Sequence, residues 1–171
     1  MNCAVRIRRA GPHDSDVVHE MMREIAAEEG VGAVDVEPDR WRTLLGRDDV
    51  IVFVAEHGGA AVGYVSAVAQ LHLWTGGDLI ALDDLYVRPG HRDAGVGRAL
   101  MTVIAATAAP RNLAVRWGVE ADNLRAQRFY ARLGARLHPK TIAVWTPAAY
   151  RPHLPARLTV SGTGPPDESG R

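Results

Sequence analysis

The residues able to do chemistry gather between Asp83 and Gly134. Asp83 and Asp84 are adjacent carboxylates. Facing a cleft, each would raise the other's pKa, and either could then take a proton from an amine, directly or through a water. Beyond them Leu85-Tyr86-Val87 ends a strand, Pro89 and Gly90 break it, and Gly95-Val96-Gly97 opens a helix. The first N–H groups of a helix have no intrahelical partner, and with the helix dipole they make an anion site. Glycines there put no Cβ in the way of a phosphate. A lone Gly-x-Gly does not name a ligand. Two nucleotide motifs fail here: Leu100 stands where a Rossmann turn needs Gly or Ala, and no Gly-Lys-Ser/Thr of a P-loop is present.

A second constellation follows. Asn123, Ala126, Gln127 and Tyr130 recur at helical spacing and share one helix face. That face has hydrogen-bonding ends and little bulk, which suits a ligand edge. Leu124, Phe129 and Leu133 fall off the stripe and are assigned to the core.

Elements with the right periods must hold these groups. Ile80 and Leu82 share one strand parity and Leu85 and Val87 the other, so the apolar face switches across Asp83-Asp84. One extra residue, a β-bulge, produces such a switch. Strands are expected at Ala4 to Arg8, Val50 to Ala55, Val62 to Leu71, Leu79 to Val87, Ala114 to Val119 and Ile142 to Trp145, with a further one conceivable at Ala135 to Leu137. Helices are expected after Asp14, where Gly30 closes the first, near Pro38, over Ala94 to Ala109, and over Asn123 to Leu133. This order makes a mixed α/β (α+β) sheet with helices packed on it. One domain is expected over residues 1–150, followed by a Pro-, Gly- and Ser-rich tail over 151–171.

Composition narrows the function. Twenty basic and twenty acidic residues give a formal net charge of zero, which disfavours a protein that coats nucleic acid or an acidic membrane. The one cysteine, Cys3, makes neither an internal disulfide nor a cysteine-based metal site. The seven histidines show no metal-ligand spacing, so no metal is expected. No signal-peptide core and no apolar run near the roughly 20 residues that span a bilayer is present, and the expected location is cytoplasmic.

Arg92-Asp93-Ala94-Gly95-Val96-Gly97 resembles the Arg/Gln-x-x-Gly-x-Gly/Ala acetyl-CoA motif of the GNAT superfamily of N-acetyltransferases. Asp83-Asp84-Leu85-Tyr86-Val87 is similar to the strand that leads into that motif, and Asn123-x-x-Ala126-x-x-Phe129-Tyr130-x-x-Leu133-Gly134 to the helix after the fifth strand. The resemblance implies the GNAT fold, a mixed central sheet with a bulged, splayed middle strand and helices on both faces. It implies an acetyl-CoA-dependent enzyme that moves the acetyl group directly to an amine. N–H groups from Arg92, Asp93, Ala94, Gly95, Val96, Gly97 and Arg98 would hold the pyrophosphate. Leu85 and Val87 would bind the pantetheine arm through their backbone, with Tyr86 counted in the same site and the Val87 N–H available to an oxyanion. Asn123 and Ala126 would meet the CoA arm, and Tyr130 would protonate the leaving thiolate. Asp93 departs from the usual Gly or basic residue and is expected to face solvent. By the same resemblance a homodimer is conceivable.

The acceptor is expected to be a primary amine of a small molecule. A protein or peptide N-acetyltransferase and a catalytically silent acetyl-CoA-binding regulatory domain are the rival readings. Glu24, Glu28 and Glu29, then Asp35, Glu37 and Asp39, would either attract a cationic amine or form a solvated helix end. Trp41, His72 and Trp74 are candidates for an aromatic wall, with Glu28, Trp41 and Trp74 the leading substrate contacts.

Overall fold

The structure, a computed structural model, describes residues 4–30, 32 and 36–155. Cys3, Asp35 and the tail from residue 156 onward lie outside them. The chain divides into two compact units, Met1–Ala135 and Arg136–Arg171.

In the first unit the described order is β1 (Arg6–Arg9), α1 (Ser15–Glu29), α2 (Pro38–Leu45), β2 (Val50–His57), β3 (Ala60–His72), β4 (Gly77–Val87), α3 (Val96–Ala108), β5 (Val115–Arg116) and α4 (Leu124–Arg132). The strands form one sheet in the order β1-β2-β3-β4-β5, antiparallel except for the parallel β4–β5 pair. A parallel pair needs a long crossover, and α3 supplies it.

Each face of the sheet carries its own core. Val18 and Met21 of α1 and Leu45 of α2 pack against Val52, Val54, Tyr64 and Tyr86 on one face. Val96, Leu100, Met101 and Ile104 of α3, with Tyr130 of α4, pack against Ile51, Val65, Ala67, Ile80 and Leu82 on the other. The Pro12-His13-Asp14 turn into α1 is pinned by Asp14, which accepts both terminal nitrogens of Arg8 at 2.9 and 2.7 Å and the Gly11 N–H at 2.8 Å.

In the second unit, residues 136–146 have no regular structure, and α5 (Pro147–Tyr150) follows. The strand expected at Ile142 to Trp145 is therefore absent, as is the one at Ala135 to Leu137. Ile142 and Val144 are 73% and 79% exposed. Their side chains suit a strand, but propensity forms no ladder without a partner for the backbone. Trp145 instead packs edge-on to Tyr150, with ring centroids 5.8 Å apart.

Candidate active site

The predicted bulge is present, and it falls on Asp83. Ser66 pairs with Asp84 and Ala67 pairs with Leu82, so Asp83 has no partner on β3. The extra residue resolves the parity switch: Ile80 and Leu82 before it, and Leu85 and Val87 after it, all join the α3-side core. β5 pairs with Ile80 and Ala81 alone. From the bulge onward β4 keeps β3 on one side and, among the described residues, no strand on the other. The pairing of β4 with β5 thus stops before the bulge, and β4 runs on from there toward the loop that enters α3.

The two carboxylates differ in setting. Asp84 is half-buried and tied to Ser66: Ser66 Oγ donates to its Oδ2 at 3.0 Å, and its own N–H donates to Ser66 Oγ at 3.1 Å. Asp83 is exposed at the bulge. Surrounding protein mass, and then the charge of Asp84, raise its pKa. A raised carboxyl is the better proton acceptor near neutrality.

At Gly63 β3 leaves no room for a side chain against β4. A Cβ there would lie 2.6 Å from the Tyr86 carbonyl oxygen, so no other residue allows this approach. Arg88 then donates its N–H to the Val62 carbonyl at 2.9 Å and ends the strand.

The loop into α3 has the form an anion site needs. Asp93 (φ 62°) and Gly95 (φ 84°) are both left-handed, with α3 starting at Val96. Asp tolerates that backbone better than most residues. A Cβ on Gly95 would meet nothing within 4 Å, so the space over the helix N-terminus is open, as a bound pyrophosphate requires. Gly97 has a different neighbour: its Cβ would make ordinary contact with Phe129 Cζ at 3.5 Å. Arg98 is exposed. Asp93 points outwards, as expected, and pairs with Arg125 at 2.9 Å.

Arg92 is held from two sides. Its Nε donates to the Val87 carbonyl at 2.7 Å, and its Nη2 donates to the Glu28 carboxylate at 2.6 and 2.9 Å. Arg88 likewise grips Glu24, which lowers the Glu24 pKa. Tyr86 turns its side chain to the α1 face, where its hydroxyl donates towards Glu24 at 3.1 Å and Glu28 at 3.2 Å. Glu24 and the exposed Glu28 are thus ion-paired with Arg88 and Arg92. They bolt α1 to the phosphate loop.

On α4, Asn123 caps the helix by accepting the Ala126 N–H at Oδ1, which leaves its amide nitrogen to donate elsewhere. Gln127 donates to the Glu120 and Ala121 carbonyls. Tyr130 is buried, its ring tilted at 53° to Trp117 with centroids 4.9 Å apart, and burial raises its pKa, so the hydroxyl keeps its proton at neutral pH. Leu124, assigned to the core from its spacing, is 57% exposed. The helix turns Tyr130 inward instead. The aromatic wall does not assemble. Trp41 packs against the α1-side core, Trp74 is 95% exposed, and His72 is bonded to Thr75 and Arg116. Sequence reading missed Gly63, Tyr64 and Ser66. A small residue at 63 opposite the glycine-free end of β4 was the available signal for the first.

The family model for the acetyltransferase (GNAT) family matches residues 18–135. The chain belongs to the GNAT acetyltransferase family. An uncharacterized N-acetyltransferase of Mycobacterium bovis is 37% identical over 89 residues, 51% of this chain and 53% of that protein. The mycothiol acetyltransferase of Actinosynnema mirum is 32% identical over 125 residues, 73% of this chain and 40% of that protein. The chain thus spans about half the length, or less, of these curated relatives. A solved aminoglycoside acetyltransferase from an uncultured soil metagenome, complexed with trehalose, superposes with TM-score 0.73 at 17% identity, covering 83% of this chain and 95% of that one. At that identity the likeness establishes the GNAT fold, with its open mixed sheet. GNAT proteins use acetyl-CoA, and the open, left-handed loop before α3 fits its pyrophosphate. Among the described residues no cluster fit to hold a metal occurs, and no helix is long and apolar enough to cross a membrane.

Proposed function

We propose that this chain moves an acetyl group from acetyl-CoA directly to a primary amine of a small molecule. The observation that carries the reading is the bulge that leaves Asp83 without a partner on β3, just beyond the part of β4 that β5 pairs. Arg92 through Arg98 would hold the pyrophosphate, the backbone of Leu85 and Val87 the pantetheine arm, and Asn123 Nδ2 and Ala126 its far edge. Acetyl-CoA supplies the activated thioester. Asp83 takes the proton from the acceptor nitrogen as that nitrogen bonds to the acetyl carbon. The Val87 N–H steadies the oxyanion. The carbon–sulfur bond breaks, and Tyr130 gives its proton to the sulfur.

The relatives support a small acceptor only through their names, mycothiol and aminoglycoside acetyltransferases. The test is free-thiol release from acetyl-CoA across a panel of amines, amino acids and peptides. Release with small amines is expected. Release with peptides alone would replace this reading by peptide acetylation, and tight acetyl-CoA binding with no release by any acceptor would make the chain a silent sensor.

A further inference from the structure

The zero net charge of the whole chain conceals a division along it. Residues 1–122 hold eighteen carboxylates against twelve arginines, and from residue 123 onward eight basic residues stand against two acidic ones. Between Asp122 and Asp167 there is no aspartate or glutamate, while seven arginines and lysines occur. A balanced chain thus carries a strongly basic stretch, and such asymmetry points to a polyanionic partner for that stretch.

The second unit shows what this stretch offers. Every residue from Arg136 to Pro155 is exposed except the half-buried Tyr150, so the segment buries no core of its own. Arg136, Lys140 and Arg151 have no carboxylate partner among the described residues. Ile142 and Val144 share the segment with them, as do Trp145 and Leu154, 66% and 57% exposed. The Trp145 ring neighbours Tyr150 and, with centroids 5.9 Å apart, His153. Exposed apolar residues scattered singly are ordinary. Four large ones in one short segment, mixed with unpaired cations and no anion, are a docking surface.

The two properties together select the partner. Unpaired cations alone suit any polyanion, and a tryptophan serves a nucleic-acid base or a bilayer interface equally well. Ile142, Val144 and Leu154 have no π-face on which a base could stack. The boundary between anionic headgroups and acyl chains accepts aliphatic side chains and tryptophan alike.

We propose that the segment from Arg136 to Pro155 docks on an anionic lipid bilayer surface. Arg136, Lys140 and Arg151 meet headgroup phosphates, while Ile142, Val144, Trp145 and Leu154 enter the boundary beneath. The attachment is peripheral: among the described residues no helix is long and apolar enough to cross a membrane. It involves no acetyl transfer and stands apart from the reaction proposed above.

Co-sedimentation of the whole chain with vesicles tests this. Vesicles of phosphatidylglycerol and phosphatidylcholine in equal parts are compared with vesicles of phosphatidylcholine alone. The chain is expected to bind the mixed vesicles at least about tenfold tighter and to come off them as salt is raised, because salt screens surface charge. Lys140→Gln combined with Arg151→Gln should weaken this binding about 25-fold, the product of roughly fivefold for each charge. Trp145→Ser should weaken it about tenfold. Melting temperatures should not change, since all three side chains are exposed. The lipid and salt comparisons use the parent chain alone, so they decide even where a substitution unfolds it. Equal binding to the two vesicles, no binding to either, or binding that none of the substitutions alters overturns the proposal. A single-stranded oligonucleotide bound in preference to the mixed vesicles, with the same loss in the variants, would make the stretch a nucleic-acid surface instead. Self-association abolished by Trp145→Ser, with no lipid binding, would make it a contact between copies of the chain.

Discussion

Ser66 and Asp84 hold each other by reciprocal hydrogen bonds of 3.0 and 3.1 Å, directly after the bulged residue Asp83. The side chain of one strand thus replaces a ladder bond that the bulge disrupts, and it orients the Asp84 carboxylate at the same time. Ser66→Ala leaves both Asp84 groups without this partner. We expect a loss of about 1–2 kcal/mol in urea unfolding and a rise in acceptor KM. Unchanged values for both would show that the pair holds nothing.

Asp83 has its pKa raised by desolvation and by Asp84. Its working form is the carboxylate, so kcat/KM should rise with pH as Asp83 loses its proton and then level off. Asp83→Asn should remove that acidic limb and lower kcat roughly 100-fold or more. An acidic limb that survives the substitution would assign the base elsewhere.

Tyr130 should matter for turnover and little for binding. Phe keeps the ring against Trp117 and Phe129 and removes the proton that the sulfur needs. Tyr130→Phe is expected to cut kcat by about 100-fold with the KM for acetyl-CoA nearly constant. A full turnover rate would end its acid role.

Gly95 and Gly97 should respond oppositely to alanine. Gly95 has φ 84°, a backbone that costs an L-residue about 1–2 kcal/mol, so Gly95→Ala should lower stability and weaken acetyl-CoA binding together. Gly97 is helical and has room for a methyl 3.5 Å from Phe129 Cζ. Gly97→Ala should raise stability by about 0.5 kcal/mol and leave the loop intact. Thermal melts with and without CoA separate the two cases.

Asp14 links stability to pH. Its side chain is 5% exposed, and the Arg8 hydrogen bonds hold its pKa below the ordinary 3.8. A depressed carboxyl stabilises the fold above its unfolded pKa, and that contribution disappears as pH falls through the folded value. Asp14→Asn should cost roughly 2 kcal/mol at neutral pH, with the difference from the parent chain shrinking as urea unfolding is taken below 3.8. A difference that stays constant with pH would deny the linkage.

Read alone, the sequence specified the parts whose signals are local. The parity switch from Leu82 to Leu85 announced the bulge, because strand side chains alternate with a period of two. Pro89, Gly90 and Gly95 announced the phosphate loop, because turns and helix starts demand particular backbone angles. The helix around Tyr130 was legible from its spacing, but not which of its sides faces inward, so Leu124 and Tyr130 exchanged places. Everything that joins distant segments came from the tertiary structure. Glu28 and Arg92 are 64 residues apart, and only the packing of α1 over β4 makes them an ion pair. Tyr64 meets Asp84 only through the register of β3 and β4. Ile142 to Trp145 has the composition of a strand and is none, since a strand exists only where a neighbour offers its backbone. Periodicity records which way a side chain turns within its own element; which partner it meets depends on how elements cross, and that is a property of the folded chain.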